Sequence, residues 1–314
     1  MQNGAVLALC PNTAWQKTLL FEKLQPNAVN RADAVKQTGG GKGVNVLRVL
    51  RRLGVPASIA GFVGGEVGRL LRQEFAACGA GDLCLDSKNP TRYCYTIIDQ
   101  ERGGATELIE PSPEIMPEEA QALLQLLRSR LPQFSALCLA GSLPPGLGPG
   151  FYGEICALAR KHGIPLLLDA HQNIGSSLEA GLSMLKINRQ ELASLTGEED
   201  PALAAAALMR KYPLEWLALT DGPGLGWLFS RQQTWQLQLP QLSNIVSPIG
   251  AGDCAAAILT WRLSQKATTT AMPQHFAEAL ACASASCLSS EPSLFEPRQA
   301  EKILADINIR QIRQ

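Results

Sequence analysis

Short runs recur along the chain, each holding four to seven apolar residues and each bounded by Gly, Pro, Asn or Asp. They fall at residues 4–10 (GAVLALC), 57–64 (ASIAGFVG), 135–142 (SALCLAGS), 164–170 (IPLLLDA), 182–188 (LSMLKIN) and 215–222 (EWLALTDG). Between them the apolar positions take a helical period. This predicts helices over Pro117–Leu131, Gly150–His162 and Pro201–Tyr212, and one starting near Val44. The first and third open on a proline, which suits an initial helical turn. Near-continuous apolar strands separated by amphipathic helices mean a parallel sheet covered on both faces. The predicted fold class is α/β, with a mostly parallel central sheet and helices on either side.

Two segments break that rhythm. Residues 12–38 and 88–110 alternate polar with apolar side chains, as in YCYTIID and ATELIE. That period belongs to half-exposed, antiparallel strands. They are expected to form a small β-sheet lid over a ligand crevice. No Ser-, Gly- or Pro-rich linker and no internal repeat divides the chain, so residues 1–314 read as one domain carrying this lid.

Composition narrows the function. Lys plus Arg number 28, as do Asp plus Glu, so the formal charge is zero. A general nucleic-acid binder needs an excess of positive charge to meet phosphates. With 46 % hydrophobic residues the chain builds a sizeable core and is not a disordered one. No stretch reaches the ~18–20 apolar residues of a membrane helix. The first residues have neither the basic segment nor the cleavage site of a signal peptide. Nine cysteines form no CxxC pair, and Cys10, Cys138, Cys156 and Cys282 sit inside apolar runs. They read as reduced core thiols in a cytoplasmic protein that meets neither nucleic acid nor membrane.

Three stretches carry chemistry. TGGGKGVN (38–45) packs four glycines around Lys42 ahead of a helix, which lets backbone and a positive charge approach an anion. It is not a P-loop, because Gly43 stands where Ser or Thr would hold magnesium. SPIGAGDC (247–254) runs small residues Gly250, Ala251 and Gly252 into an apolar helix, with Asp253 at its mouth. Such a turn can aim several N–H groups at developing negative charge, and a carboxylate there is also an ordinary N-cap. KINRQEL (186–192) places Asn188 and Glu191 three apart at a helix start. That spacing fits a capping box, and its oxygen atoms also suit Mg²⁺ held through water. The glycine clusters at 61–68 and 221–226 lack the GxGxxG context of a dinucleotide site. His162, His171 and His275 are isolated, and GxSxG is absent, so a metal hydrolase or serine esterase has little support.

In order along the whole chain, PNTAWQKT, GGGKGVNVLRVLRRLG, GFVGG, TRYCYTIID, TELIEPSPEI, AGSLPPGL, KINRQEL and GAGD resemble the PfkB, or ribokinase-like, carbohydrate kinases. They are most similar to the branch of 1-phosphofructokinases and tagatose-6-phosphate kinases. The resemblance implies a ribokinase-like fold with a β-lid and ATP-dependent transfer of phosphate to a hydroxyl of a phosphorylated ketohexose. By the same resemblance Asp253 is the base, and Gly250, Ala251 and Gly252 form the anion hole. Asn188 and Glu191 organise Mg²⁺, while Lys186, Thr220 and Gly222 line the ATP cleft. Gly40, Gly41, Lys42 and Asn45 face the sugar, and Lys42 with Arg92 grips the phosphate already on it. In some members the lids of two subunits pair into a homodimer. One element departs from the pattern: Gln16 replaces the acidic residue that normally accepts bonds from sugar hydroxyls, with Trp15 beside it as a candidate to fill sugar space. Two other readings share these motifs. A kinase of an unphosphorylated sugar or nucleoside is favoured by Gln16. A non-catalytic sugar- or nucleotide-binding relative is disfavoured by the intact GAGD and NxxE.

Overall fold

The computed structural model describes residues 4–312, apart from 267 and 269. The chain opens with β1 (Val6–Cys10), β2 (Ala14–Phe21), β3 (Ala34–Gly40), α1 (Lys42–Arg52), β4 (Ala57–Val63) and α2 (Gly65–Ala77). Two short strands, β5 (Gly81–Asp82) and β6 (Leu85–Asp86), precede β7 (Arg92–Asp99) and β8 (Ala105–Ile109). Helices and strands then alternate through α3 (Pro117–Arg130), β9 (Ala136–Ala140), α4 (Phe151–Lys161), β10 (Leu166–Asp169), α5 (Gly175–Ala180) and β11 (Leu182–Asn188). After α6 (Arg189–Thr196) and α7 (Pro201–Lys211) come β12 (Leu214–Asp221), β13 (Leu225–Ser230) and β14 (Thr234–Gln238). Helices α8 (Ala251–Ser264), α9 (Met272–Ser286) and α10 (Pro297–Ala305) lead to β15 (Asn308–Ile312).

The six predicted apolar runs are six neighbouring parallel strands of the main sheet, in the order β4-β1-β9-β10-β11-β12, and the short β5 and β6 pair parallel with the outer edge of β4. Strands β13, β14 and β15 extend one edge antiparallel, and the sequence pattern did not predict them. Strand β13 is near-continuously apolar, β14 alternates and β15 is polar at three of five positions, so the three share no one period.

Alternation along the central strands sorts side chains by size. Val6, Ala8, Cys10, Ala136, Cys138 and Ala140 face one core, whereas Leu7, Leu9, Leu137 and Leu139 face the other. The small-residue face receives Cys254, Ala255, Ala256 and Ala257 of α8. Small against small brings α8 close to the strands and sets its first turn beside their carboxyl ends.

The second sheet has the order β3-β2-β7-β8 and is built from the two alternating segments. Each segment folds on itself antiparallel, as its pattern predicts. Between the segments, however, β2 and β7 pair parallel, from Ala14 opposite Arg92 to Phe21 opposite Asp99. No hairpin joins those two strands, so nothing in either segment's own period could fix their relative direction.

Candidate active site

Strand β1 is flanked by β4, which follows it in the sheet's chain order, and by β9, which starts the series running the other way. In an open parallel sheet, loops at the carboxyl ends of strands part at such a reversal and leave a crevice. A cavity of about 700 Å³ lies there. Asn12 follows β1, Gly141 and Ser142 follow β9, Ala170 and His171 follow β10, and Lys186, Asn188 and Thr220 end β11 and β12. The second sheet supplies Gln16, Gly40, Arg92, Cys94, Glu107 and Ile109. Gly41, Lys42, Asn45, Glu191, Gly250, Gly252 and Asp253 complete the wall.

A second, more apolar cavity of about 970 Å³ adjoins the first and shares Asn188, Thr220, Pro248 and Gly252 with it. Gly222, Ala251, Leu242, Ile245, Leu280 and Cys287 are among its lining residues. Apart from Trp15, the site residues assigned from the sequence line one of two adjoining spaces. The SPIGAGD turn forms their junction.

At that turn Gly250 has φ +82° and precedes α8. A Cβ there would lie 2.6 Å from Ser293 Oγ, which donates to the Gly250 carbonyl at 2.8 Å. Gly252 has a different reason to be glycine, because a Cβ would lie 2.8 Å from Lys186 Nζ. The missing side chain lets an ammonium sit against the helix's opening turn, whose N–H groups lack intrahelical partners. Asp253 is in the third position of α8 and is not the N-cap, which is Gly250.

Four charges surround the junction. Asp169 is 1 % exposed and accepts from Lys42 Nζ at 2.9 Å and Lys186 Nζ at 3.0 Å. Burial acts to raise its pKa, but the two ammonium groups outweigh burial and hold the carboxyl below its ordinary value. Asp169 in turn pushes the Lys42 ammonium up despite its burial. Asp253, 7 % exposed, accepts from Asn45 Nδ2 at 2.7 Å. Burial raises its pKa to about 6, opposed by Lys42 and assisted by Asp169.

Asn188 and Glu191 do form a capping box: Asn188 Oδ1 accepts from Glu191 N–H at 2.8 Å, and Glu191 Oε2 accepts from Asn188 N–H at 3.0 Å. The other Glu191 oxygen lies 3.1 Å from His171 Nδ1. Among the described residues no group of three or more His, Cys, Asp or Glu could hold a metal directly. A cation organised through water by this one carboxylate fits that donor set.

On the second sheet, Gln16 Nε2 donates to Thr96 Oγ1 at 2.7 Å. Trp15 points to the opposite face by strand alternation, donates to Gln37, and does not line the cavity. Arg92 donates through Nη1 to the Glu110 carbonyl, and its buried Nε has no partner. Asn12 donates to Ser112 and Ser142, and its buried Oδ1 is also unpartnered. Sequence reasoning gave no role to Asn12, Ser142, Asp169 or Glu107. A lone Asp closing an apolar strand was the available signal for Asp169.

Comparison with known proteins identifies the family and the fold. A family model described as pfkB family carbohydrate kinase matches residues 1–298. Among solved structures, phosphofructokinase-2 from Escherichia coli, in complex with potassium, is 22 % identical with a TM-score of 0.85, over 97 % of this chain and 99 % of that one. A Thermotoga maritima protein described as a possible 1-phosphofructokinase is 20 % identical with a TM-score of 0.88, over 98 % and 100 %. A carbohydrate kinase from Agrobacterium tumefaciens is 20 % identical with a TM-score of 0.75, over 98 % and 99 %. At these identities the structural likeness carries the fold.

Proposed function

Because this chain belongs to the pfkB family of carbohydrate kinases, whose members use ATP, we propose that it transfers the γ-phosphoryl group of MgATP to a hydroxyl of a phosphorylated ketohexose, of the fructose 1-phosphate or tagatose 6-phosphate type. The observation that carries this reading is the junction itself: a buried carboxylate and a turn backed by an ammonium, set between a polar cavity and an apolar one. The apolar cavity takes the nucleoside, with Thr220 and Gly222 at its wall and Lys186 near the phosphates. The polar cavity takes the acceptor. Residues 12–38 and 88–110 act as its lid within a single catalytic unit. Val35 and Leu108, each more than half exposed on the lid's outer face, offer a second lid an apolar surface for a homodimer.

Asp253 takes the proton of the acceptor hydroxyl. With Asp253 ionised, the two lysines and two carboxylates sum to zero. Once it is protonated the cluster carries one positive charge, facing the phosphoryl oxygens as they pass the Gly250–Gly252 turn. Positioning and charge neutralisation are the main demands of phosphoryl transfer. Asn188 and Glu191 would hold Mg²⁺ through water, and the ion would supply positive charge that offsets the phosphates.

Arg92 is the cation left for a phosphate on the acceptor. Lys42 is engaged by Asp169, whereas Arg92 keeps one buried N–H unpartnered at the cavity wall. A guanidinium grips phosphate through two donors. Arg92→Ala is expected to raise KM for the phosphosugar by about 10-fold or more, the loss of a charge-assisted hydrogen bond. KM for ATP should hardly change, and equal effects on both would refute the assignment.

The test of the reaction is ADP release across phosphorylated and free sugars with MgATP. Turnover with phosphorylated ketohexoses only is the expected result. Turnover with free sugars or nucleosides only would transfer the reading to an unphosphorylated acceptor, which Gln16 favours. Binding without turnover would make the chain a non-catalytic relative.

A further inference from the structure

Arg48 stands one turn after Asn45 on α1, at the i,i+3 spacing that puts two side chains together. Its Nη1 donates to Asn45 Oδ1 at 2.8 Å. Its Nη2 lies among three acceptors: Thr38 Oγ1 at 2.7 Å, the Gly39 carbonyl at 2.5 Å and Glu74 Oε1 at 2.8 Å. Glu74, on α2, also accepts from the Gly39 N–H at 2.5 Å and from Thr38 Oγ1 at 3.1 Å. One ion pair thus ties α1 and α2 to the end of β3, just before the loop that borders the acceptor cavity.

The consequence concerns which way an amide points. Asn45 presents a donor and an acceptor at its two ends, and only the donor end can bond a carboxylate. Turned over, its oxygen would face Asp253 Oδ2 with two acceptors opposed. A guanidinium has donors alone. Its bond to Asn45 Oδ1 therefore commits the Nδ2 end to Asp253, where it sits at 2.7 Å.

We propose that Arg48 is a positioning residue for the base: through Asn45 it fixes one oxygen of the Asp253 carboxylate and leaves the other for the acceptor hydroxyl. This rests on the kinase reading for the base's role, but the orientation of Asn45 stands apart from it. The other groups facing Asp253 are Lys42 on α1, Asp169 on β10, Lys186 on β11 and the Cys10 thiol on β1, which burial pushes up to about 11 and so keeps neutral. None of them touches Asn45 Oδ1 in place of Arg48.

The experiment reads Asp253 directly, before any acceptor is added. Its carboxyl carbon is followed by ¹³C NMR against pH in Asp-labelled protein and identified by its absence in Asp253→Asn. In Arg48→Met the titration midpoint should rise by roughly half a unit to one unit, since a donated hydrogen bond favours the ionised form. Arg48→Lys, which keeps the charge but not the fork of donors, should give an intermediate rise. With the acceptor found by the ADP-release screen, Arg48→Met should lower kcat about 10-fold or more with KM for ATP within threefold. In an Asn45→Ala background it should add less than twofold, because two groups acting as one unit are not additive. A merely structural arginine would multiply with Asn45→Ala and leave the midpoint in place, and either result overturns the proposal. If Arg48→Met does not fold, an unmoved midpoint in Arg48→Lys overturns it equally. Absence of turnover in the wild type would defeat the kinase reading, while the titration would still decide the role of Arg48.

Discussion

Asp253→Asn is expected to lower kcat by about 10²–10⁴-fold, the range supplied by a positioned general base, while KM for both substrates stays within a few-fold. The amide is nearly the carboxylate's size and still meets Asn45 Nδ2 through its oxygen, so the cavity keeps its shape. It loses only the capacity to take a proton. In the wild type, kcat/KM should fall tenfold per pH unit below about 6, because the proposed base must be deprotonated to act and burial raises the Asp253 pKa to about that value. The direction matters: a carboxyl of ordinary pKa would keep the enzyme active well below that point. Steady-state kinetics across pH check both claims, and near-normal turnover by Asp253→Asn would remove it as the base.

The second large effect falls on stability. Asp169→Ala leaves the Lys186 ammonium, 5 % exposed as a residue, without the carboxylate that it meets at 3.0 Å. Removing one partner of a buried ion pair costs about 3–5 kcal/mol, because the remaining charge is stranded. Lys42 is better placed to recover, since it is partly exposed and can turn to water. Urea unfolding should therefore register most of that loss in Asp169→Ala. Adding Lys186→Met should restore much of it, as an apolar pair replaces an ionic one. A loss below about 1 kcal/mol in the single variant would mean that water reaches Lys186. Phosphoryl transfer should fall in both variants, since both remove charge beside the Gly250–Gly252 turn.

Much of the fold was legible because burial imposes its own rhythm. Strands β1 and β9 are apolar and buried at every position, a pattern that only a sheet covered on both faces produces. The two alternating segments were recognisable for the complementary reason, one wet face each. The parallel pairing of β2 with β7 was not, because register between distant strands is set by where the main sheet delivers their ends. Of the site, GAGD and the glycines around Lys42 announced themselves through backbone demands that few residues meet. Arg48 did not, since an arginine on a helix most often faces water, and only the approach of Glu74 and Asn45 gives it a task. Lys42 shows the limit from the other side: its place in the site was readable, but its partner, 127 positions away, was not.

The crossing of β2 and β7 also bears on how the protein is made. Ala14 must find Arg92, and the intervening chain includes β4, a strand of the main sheet, and the helix α2. Closing so long a loop is costly until the segment between has been anchored. Pairing of β1 with β4, Val6 opposite Ala57, closes a shorter loop and shortens the one that β2 and β7 must then close. Made from its N-terminus, the chain holds both strands that carry Gln16 and Arg92 by residue 99, long before the turn at residues 250–253 is added.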